Sequence, residues 1–97
     1  MILNERDTPK GLLVSVCDRD ILGETFENGD ISLTVKEDFY DGERVDEDAV
    51  IDSLSRAAVA NIVGTNAVGV AIEHGFVAEG NVLEIGDTEH AQFLRLG

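Results

Sequence analysis

The segment Asn61-Ile62-Val63-Gly64-Thr65-Asn66 contains side chains that could hold an anion. If a helix begins after Gly64, its first backbone N–H groups are free to bind a negative charge. Thr65 and Asn66 could add hydrogen bonds to the anion. The alternative is an ordinary helix–helix turn in which Thr65 only caps the second helix. Neither a Walker-type loop nor a Gly-x-Gly-x-x-Gly fingerprint is present, so no nucleotide site is indicated.

A second candidate site is the pair His90 and Gln92, which are separated only by Ala91. Alternate residues of a strand share a face, so an imidazole and an amide would lie side by side. The pair could bind a ligand through hydrogen bonds, or His90 could act as a general acid or base. The alternative is a structural histidine whose hydrogen bonds are satisfied within the fold.

Metal binding is not indicated by the pattern of ligand residues. Cys17, His74 and His90 are the strong nitrogen and sulfur ligands, and their separations match no zinc site. The acidic run from Glu37 to Asp48 departs from the EF-hand loop and is typical of a solvated face. We therefore predict no metal and no cofactor.

Covalent catalysis is not indicated either. Cys17 ends an apolar strand beside Asp18, whose charge would raise the pKa of the thiol, so we expect an unreactive packed side chain. Ser53 and Ser55 lie in a predicted helix with no neighbouring histidine. We therefore predict no catalytic residue, and the candidate contacts for a ligand or partner are Asn61, Gly64, Thr65, Asn66, His90 and Gln92.

The elements that must position these residues begin with strands. Gly11–Cys17 is apolar on both faces, which is typical of a central strand. After a turn at Asn28-Gly29-Asp30, Ile31–Val35 alternates between apolar and polar residues. Val82–Ile85 and His90–Leu96 predict two further strands around a glycine turn. In the predicted strand Ile31–Val35, the residues expected to point inward are Ile31, Leu33 and Val35.

Two consecutive helices are predicted between the strands. Asp46 is a suitable N-cap for the first helix, which we expect to run to Gly64. The second is expected from Thr65 to His74, with Gly75 as the left-handed residue that ends it. The buried stripe predicted for the first helix consists of Val50, Ile51, Leu54, Ala57, Ala58 and Ile62.

These elements predict one α+β domain over residues 1–97, a small mainly antiparallel sheet with two consecutive helices packed on one face. The chain has one proline and no linker-like tract or internal repeat, so no domain boundary is placed. A domain this short has one core and no large internal cavity.

The charge of the chain restricts its partners. Twenty Asp and Glu residues against seven Lys and Arg give a net charge of −13. Nucleic-acid binding depends on clustered Lys and Arg, and the arginines here are scattered, so no direct binding to nucleic acid is expected. A protein with a basic surface is the expected partner, because complementary charge steers encounter. Homo-oligomerisation is an open alternative.

The composition also bears on location. No apolar run approaches the roughly 20 residues that span a bilayer, and the N-terminus lacks signal-peptide features. The single cysteine excludes an internal disulfide. We expect a cytoplasmic protein without membrane contact. Scarce lysine with abundant aspartate fits a salt-rich cytoplasm, where repulsion between carboxylates is screened; an acidic protein of ordinary habitat is the alternative.

Five segments of the chain are informative together and in order: Leu22–Phe26, Ala60–Gly64, Ala71–Val77, Asn81–Ile85 and His90–Gln92. With them the chain resembles a small archaeal family known as domain of unknown function 424. The resemblance covers nearly the whole chain. It departs at Gly86-Asp87-Thr88-Glu89, where relatives tend to carry Gly-Gly-Val-Pro, so a ligand loop at that place would be altered.

The resemblance implies an archaeal source and a compact α+β domain, and it supplies no activity. The leading hypothesis is a non-catalytic binding or assembly module in a cytoplasmic complex. The archaeal setting of the family suggests translation or other RNA-related processes. One alternative is a small enzyme acting on a phosphorylated metabolite, with His90 as acid or base and the helix start at Thr65 holding the anion. Another is a ribonucleoprotein in which a basic partner contacts the RNA.

Overall fold

A computed structural model describes residues 1–95 and has an α+β fold, as predicted. The main sheet has six strands in the order β5-β1-β2-β6-β8-β7, with β2 and β6 parallel and the other pairs antiparallel. Strands β3 and β4 form a separate hairpin. The strands are β1 Ile2–Thr8, β2 Gly11–Cys17, β3 Thr25–Asn28, β4 Ile31–Thr34, β5 Glu43–Arg44, β6 Val59–Val63, β7 Leu83–Ile85 and β8 Thr88–Leu94. The helices are α1 Glu37–Tyr40, α2 Glu47–Arg56 and α3 Thr65–Glu73, with short 3-10 turns at Arg19–Ile21 and Glu79–Asn81.

The two faces of the main sheet have different coverings. Helices α2 and α3 pack on one face, where Val14 and Val16 of β2 and Ile62 of β6 are fully buried. On the other face, the hairpin and α1 cover one end, and Cys17 and Val63 lie in the second core cluster. The rest of that second face carries no helix. Both longer helices therefore lie on one face, as the sequence predicts.

The first predicted helix is too long. It begins as expected, since the Asp46 carboxylate accepts a hydrogen bond from the Ala49 N–H at 3.0 Å, but it ends at Arg56 rather than Gly64. The Ala58 N–H donates to the Leu12 carbonyl, and the chain continues as β6 between β2 and β8. A fully flanked strand is apolar on both faces, so helical spacing of apolar residues does not distinguish it from a buried helix.

The second predicted helix is confirmed over Thr65–Glu73. Gly75 has a φ of 77°, the Gly75 N–H donates to the Ile72 carbonyl, and the Phe76 N–H donates to the Ala71 carbonyl. This is the Schellman pattern expected at a glycine stop. Phe76 packs against the main core, which fixes the direction of the following loop.

The hairpin also matches the predicted turn at Asn28-Gly29-Asp30, with one correction. Ile31 was expected to point inward, but it closes the exposed tip of the hairpin and its side chain is 46% exposed. The strand His90–Leu96 is observed from Thr88 to Leu94, and Leu96 lies outside the described residues.

Besides β6, which was predicted as part of a helix, the strands and helices that were not predicted are β1, β3, α1 and β5. Strand β1 is rich in charged residues, which conceals its pattern, and β5 pairs only with Ile2 and Leu3, so the rest of its outer side is unpaired. Within residues 1–95, no helix has the length and apolar character of a membrane span.

Candidate functional site

The N-terminus of α3 is capped by the side chain of Asp18, the residue that follows the C-terminal end of β2. The Asp18 carboxylate accepts hydrogen bonds from the Asn66 N–H at 3.0 Å and from the Ala67 N–H at 2.8 Å. Asp18 follows β2, and its own N–H donates to the Val63 carbonyl of β6. The side chain is 6% exposed. A carboxylate at this position stabilises both the free N–H groups and the positive end of the helix dipole.

Asp18 stands directly before a short turn that its side chain could cap, but it does not cap that turn. The turn Arg19–Ile21 has no side-chain cap, because the carboxylate points to α3 instead. Thr65 was expected to cap α3; it is instead the first helical residue, and the cap position is Gly64. A cap from 48 positions earlier in the chain cannot be found by scanning the residues next to the helix.

Gly64 is glycine because two conditions coincide there. Its φ of 110° with a ψ of 146° lies in a region that other residues rarely adopt. A Cβ at Gly64 would lie 2.3 Å from Cγ of Asp18, so the carboxylate occupies the space that a side chain would need. Gly64 is thus required for the cap. The helix start that could have bound an external anion already holds the carboxylate of Asp18.

His90 lies on the other face of the sheet from α3. In β8 it pairs with Val63 of β6 and Leu83 of β7, and the same alternation places Ala91 in the core under the helices. Its side chain is half-buried, and burial lowers the pKa of its imidazole. Hence the structure does not bring His90 and the Thr65 helix start together: they belong to opposite faces.

The burial of His90 predicts a specific pH dependence. The pKa of the folded state lies below the ordinary value of 6.5, so the unfolded state takes up the proton first. The contribution of His90 to the free energy of unfolding is complete above that value and falls as pH falls through the lower folded pKa. We expect His90→Gln to remove this loss, measured as denaturant unfolding of both proteins between about pH 7 and pH 5. A stability difference that does not change with pH would contradict the assignment.

Asn61 and Gln92 are brought together by strand register. They are directly opposite each other in the β6–β8 pair. They lie on the face without helices, where Leu13 and Val59 are partly exposed and the Leu94 side chain is 63% exposed. We call these five residues the open sheet face. Asn61 was placed in a helix by its sequence, so this juxtaposition could not be predicted.

The predicted site residues also line different depressions on the surface. Thr65 and Asn66 line a depression of about 500 Å³ with Glu47 and Glu73. Gln92 lines a different one, of about 400 Å³, beside Phe76 and Phe93. The candidate residues therefore form at least two separate surfaces, and no single pocket among those described contains them all.

Metal binding and thiol chemistry receive no support from the described part of the chain. Residues 1–95 contain no group of three or more histidine, cysteine, aspartate or glutamate side chains arranged to hold a metal ion. Cys17 is fully buried, and burial, with a smaller effect of Asp18, raises its pKa to about 11. A thiol with that pKa is protonated at neutral pH and unreactive.

Three of the arginines are engaged within the fold. Arg56 contacts Glu5 at 2.7 Å and Asp52 at 3.2 Å. Arg6 donates to the Asp38 carbonyl, and Arg95 donates to the Ser55 and Ala57 carbonyls. Five surface depressions on the described residues are lined by no Lys or Arg. The positive charge is thus dispersed.

Comparisons with known proteins agree with the fold described above. No curated protein matches the chain. The crystal structure of an uncharacterized conserved protein from Methanopyrus kandleri has a TM-score of 0.81 with it at 24% identity, over 99% of this chain and 93% of that chain. At that identity the likeness shows the fold alone. The model of the family described as "Protein of unknown function (DUF424)" matches residues 5–96, nearly the whole chain. The chain therefore belongs to the DUF424 family.

Proposed function

We propose that this chain is a non-catalytic binding module whose partner is a protein with a basic surface. The observation that carries the proposal is the net charge of −13 together with the contacts that Arg6, Arg56 and Arg95 make to other residues of the chain at its surface. A surface dominated by unpaired carboxylates attracts a cationic partner over several ångströms and repels polyanions.

The open sheet face supports the same proposal. Leu94 is 63% exposed, and Leu13 and Val59 lie beside it on a face that no helix covers. Exposed apolar side chains next to the amides of Asn61 and Gln92 have the mixed character of protein interfaces. Long-range attraction by carboxylates and short-range contact through this face are compatible roles for one small domain.

We place the module in a cytoplasmic complex, with translation or another RNA-related process as the setting suggested by the archaeal resemblance. In that setting the basic partner makes the phosphate contacts and this chain binds the partner. No observation favours the enzyme alternative, since His90 and the α3 start lie on opposite faces and the helix start is already capped by Asp18.

Affinity purification from native lysate at matched salt tests the proposal, followed by titration of each purified protein so identified. We expect basic proteins whose affinity falls as salt rises. The double variant Asn61→Ala/Gln92→Ala should weaken binding, whereas the control Asn28→Ala/Ser32→Ala on the exposed hairpin should not.

Two results would contradict the proposal. One is recovery of acidic partners only, or of the same basic partners with unchanged affinity after both substitutions on the open sheet face. The other is tight binding of bare RNA with a steep salt dependence, which would require a cationic surface that we do not find in residues 1–95.

A further inference from the structure

Strand β8 has an unpaired stretch of backbone along its outer edge. Its neighbour β7 pairs only with Thr88–His90, while β6 pairs on the other side from His90 to Leu94. The chain before β7 turns away through the 3-10 turn Glu79–Asn81. The outer side of β8 is therefore uncovered by any strand from Ala91 to Leu94.

The register shows which groups point outward. The Gly64 N–H donates to the Glu89 carbonyl, and the Arg95 N–H donates to the Ala58 carbonyl. In an antiparallel pair, residues bonded to the neighbour alternate with residues whose N–H and C=O face away. Ala91 and Phe93 are therefore bonded to β6, and the backbone groups of Gln92 and Leu94 face outward.

Those outward groups have no hydrogen-bond partner within the described residues. None of the backbone or side-chain hydrogen bonds outside regular elements involves the N–H or C=O of Gln92 or Leu94. Natural proteins usually protect such edges with a short strand, a charge or a proline. Here the edge ends in the exposed apolar side chain of Leu94.

A groove follows this edge on both faces of the sheet. On the helix side, a depression of about 400 Å³ is bounded by Phe76, Val77 and Phe93. On the open face, a depression of about 340 Å³ is bounded by Val59, Gln92 and Leu94. An extended chain lying along β8 would direct alternate side chains into the two depressions.

We propose that the β8 edge accepts an extended segment of the basic partner protein as an added strand. This inference rests on the proposed function and names the surface and binding mode. Main-chain hydrogen bonds to Gln92 and Leu94 give affinity, and alternate apolar side chains fill the groove beside Phe76 and Phe93.

Charge favours a basic segment over a second copy of this chain. Glu79, Glu84 and Glu89 line the adjoining depression. Arg95, the positive residue at this edge, lies 4.9 Å from the centroid of the Phe93 ring and donates to two backbone carbonyls. Two chains of charge −13 joined edge to edge would repel, whereas lysines or arginines at the rim of the groove would be attracted.

Amide hydrogen exchange of the free protein tests the edge itself. We expect the amides of Gln92 and Leu94 to exchange rapidly and those of Ala91 and Phe93 to be protected. Uniform protection across the four residues would show that something already covers the edge, and the inference would fall.

A peptide of alternating Lys and Val, titrated at fixed salt, tests the added strand. We expect it to bind and to slow exchange at Gln92 and Leu94. The same peptide N-methylated on alternate residues should lose about tenfold or more in affinity, because it cannot form the edge hydrogen bonds. The variant Gln92→Pro should lose a similar factor, since proline removes an outward N–H without breaking a bond to β6.

Two variants serve as controls. Gln92→Ala loses the amide side chain but keeps the N–H, so it should bind the peptide more tightly than Gln92→Pro does. Asp7→Pro places proline on the opposite edge of the sheet, at a residue whose N–H also faces outward, and should bind as wild type. If Gln92→Pro fails to fold, exchange in the wild-type protein and the methylated peptide still decide the question.

The outcomes separate this inference from the proposed function. Equal binding of the methylated peptide, or no protection at Gln92, overturns the added strand and leaves a partner held by charge alone. If a peptide of alternating Glu and Val binds as tightly as the Lys–Val peptide, the proposal of a basic partner is overturned. A dimer in sedimentation that Gln92→Pro disrupts would assign the edge to a second copy and contradict the inference.

Discussion

Replacing Gly64 with alanine is expected to lower the free energy of unfolding by about 3–5 kcal/mol, most of the stability of a small domain. The backbone at Gly64 has a φ of 110°, where a Cβ is strained whatever the space around it. The added Cβ would also lie 2.3 Å from Cγ and 2.6 Å from Oδ2 of Asp18. To relieve the contact, the carboxylate must leave the N–H groups of Asn66 and Ala67, so the substitution removes a cap as well as adding strain.

Denaturant unfolding of Gly64→Ala beside Gly69→Ala measures this effect. Gly69 lies within α3 with no atom within 4 Å of an added Cβ, so alanine there should be neutral or stabilise by about 0.5–1 kcal/mol. The space around Gly69 also shows that the helix does not need a glycine there to approach a strand. Equal stability of the two variants would contradict the account of Gly64.

Replacing Asp18 with alanine is expected to lower the free energy of unfolding by about 2–4 kcal/mol. The carboxylate accepts from the Asn66 and Ala67 N–H groups, and the second of these bonds is buried. Loss of a cap alone costs about 1–2 kcal/mol, and a buried N–H without a partner adds to it. The measurement is denaturant unfolding with Asp20→Ala as control, because Asp20 is exposed and caps no helix.

Two further variants test whether the Asp18 carboxylate is a cap or only a charge. Asp18→Asn keeps one acceptor oxygen and should cost less than Asp18→Ala. The double variant Asp18→Ala/Gly64→Ala should be less destabilised than the sum of its parts, because the collision with the carboxylate is absent. Strict additivity would mean that Asp18 and Gly64 act independently, against the geometry.

The cap formed by Asp18 and Gly64 also affects which surfaces can bind a ligand. The helix start at Thr65 was a candidate anion site because its N–H groups were expected to be free. Asp18 occupies them from within the chain, and an external anion would have to displace a carboxylate that is 6% exposed. The surface that we propose for a partner is instead the open sheet face and the β8 edge.

Local patterns in the sequence determined much of this protein. The apolar run of Gly11–Cys17, the turn at Asn28-Gly29-Asp30 and the stop at Gly75 are short-range features, and each is observed. The charge of −13 is a property of composition alone. The class α+β follows from the order of such elements, because few layered arrangements bury their apolar faces.

Tertiary structure decided the rest, because it depends on residues far apart in the chain. Val59–Val63 is a strand since β2 and β8 flank it, although its apolar spacing also fits a helix. Asp18 reaches α3 only after β2 and β6 pair, and Asn61 meets Gln92 only through register. The free edge of β8 exists because β7 is three residues long, a limit that only the assembled sheet reveals.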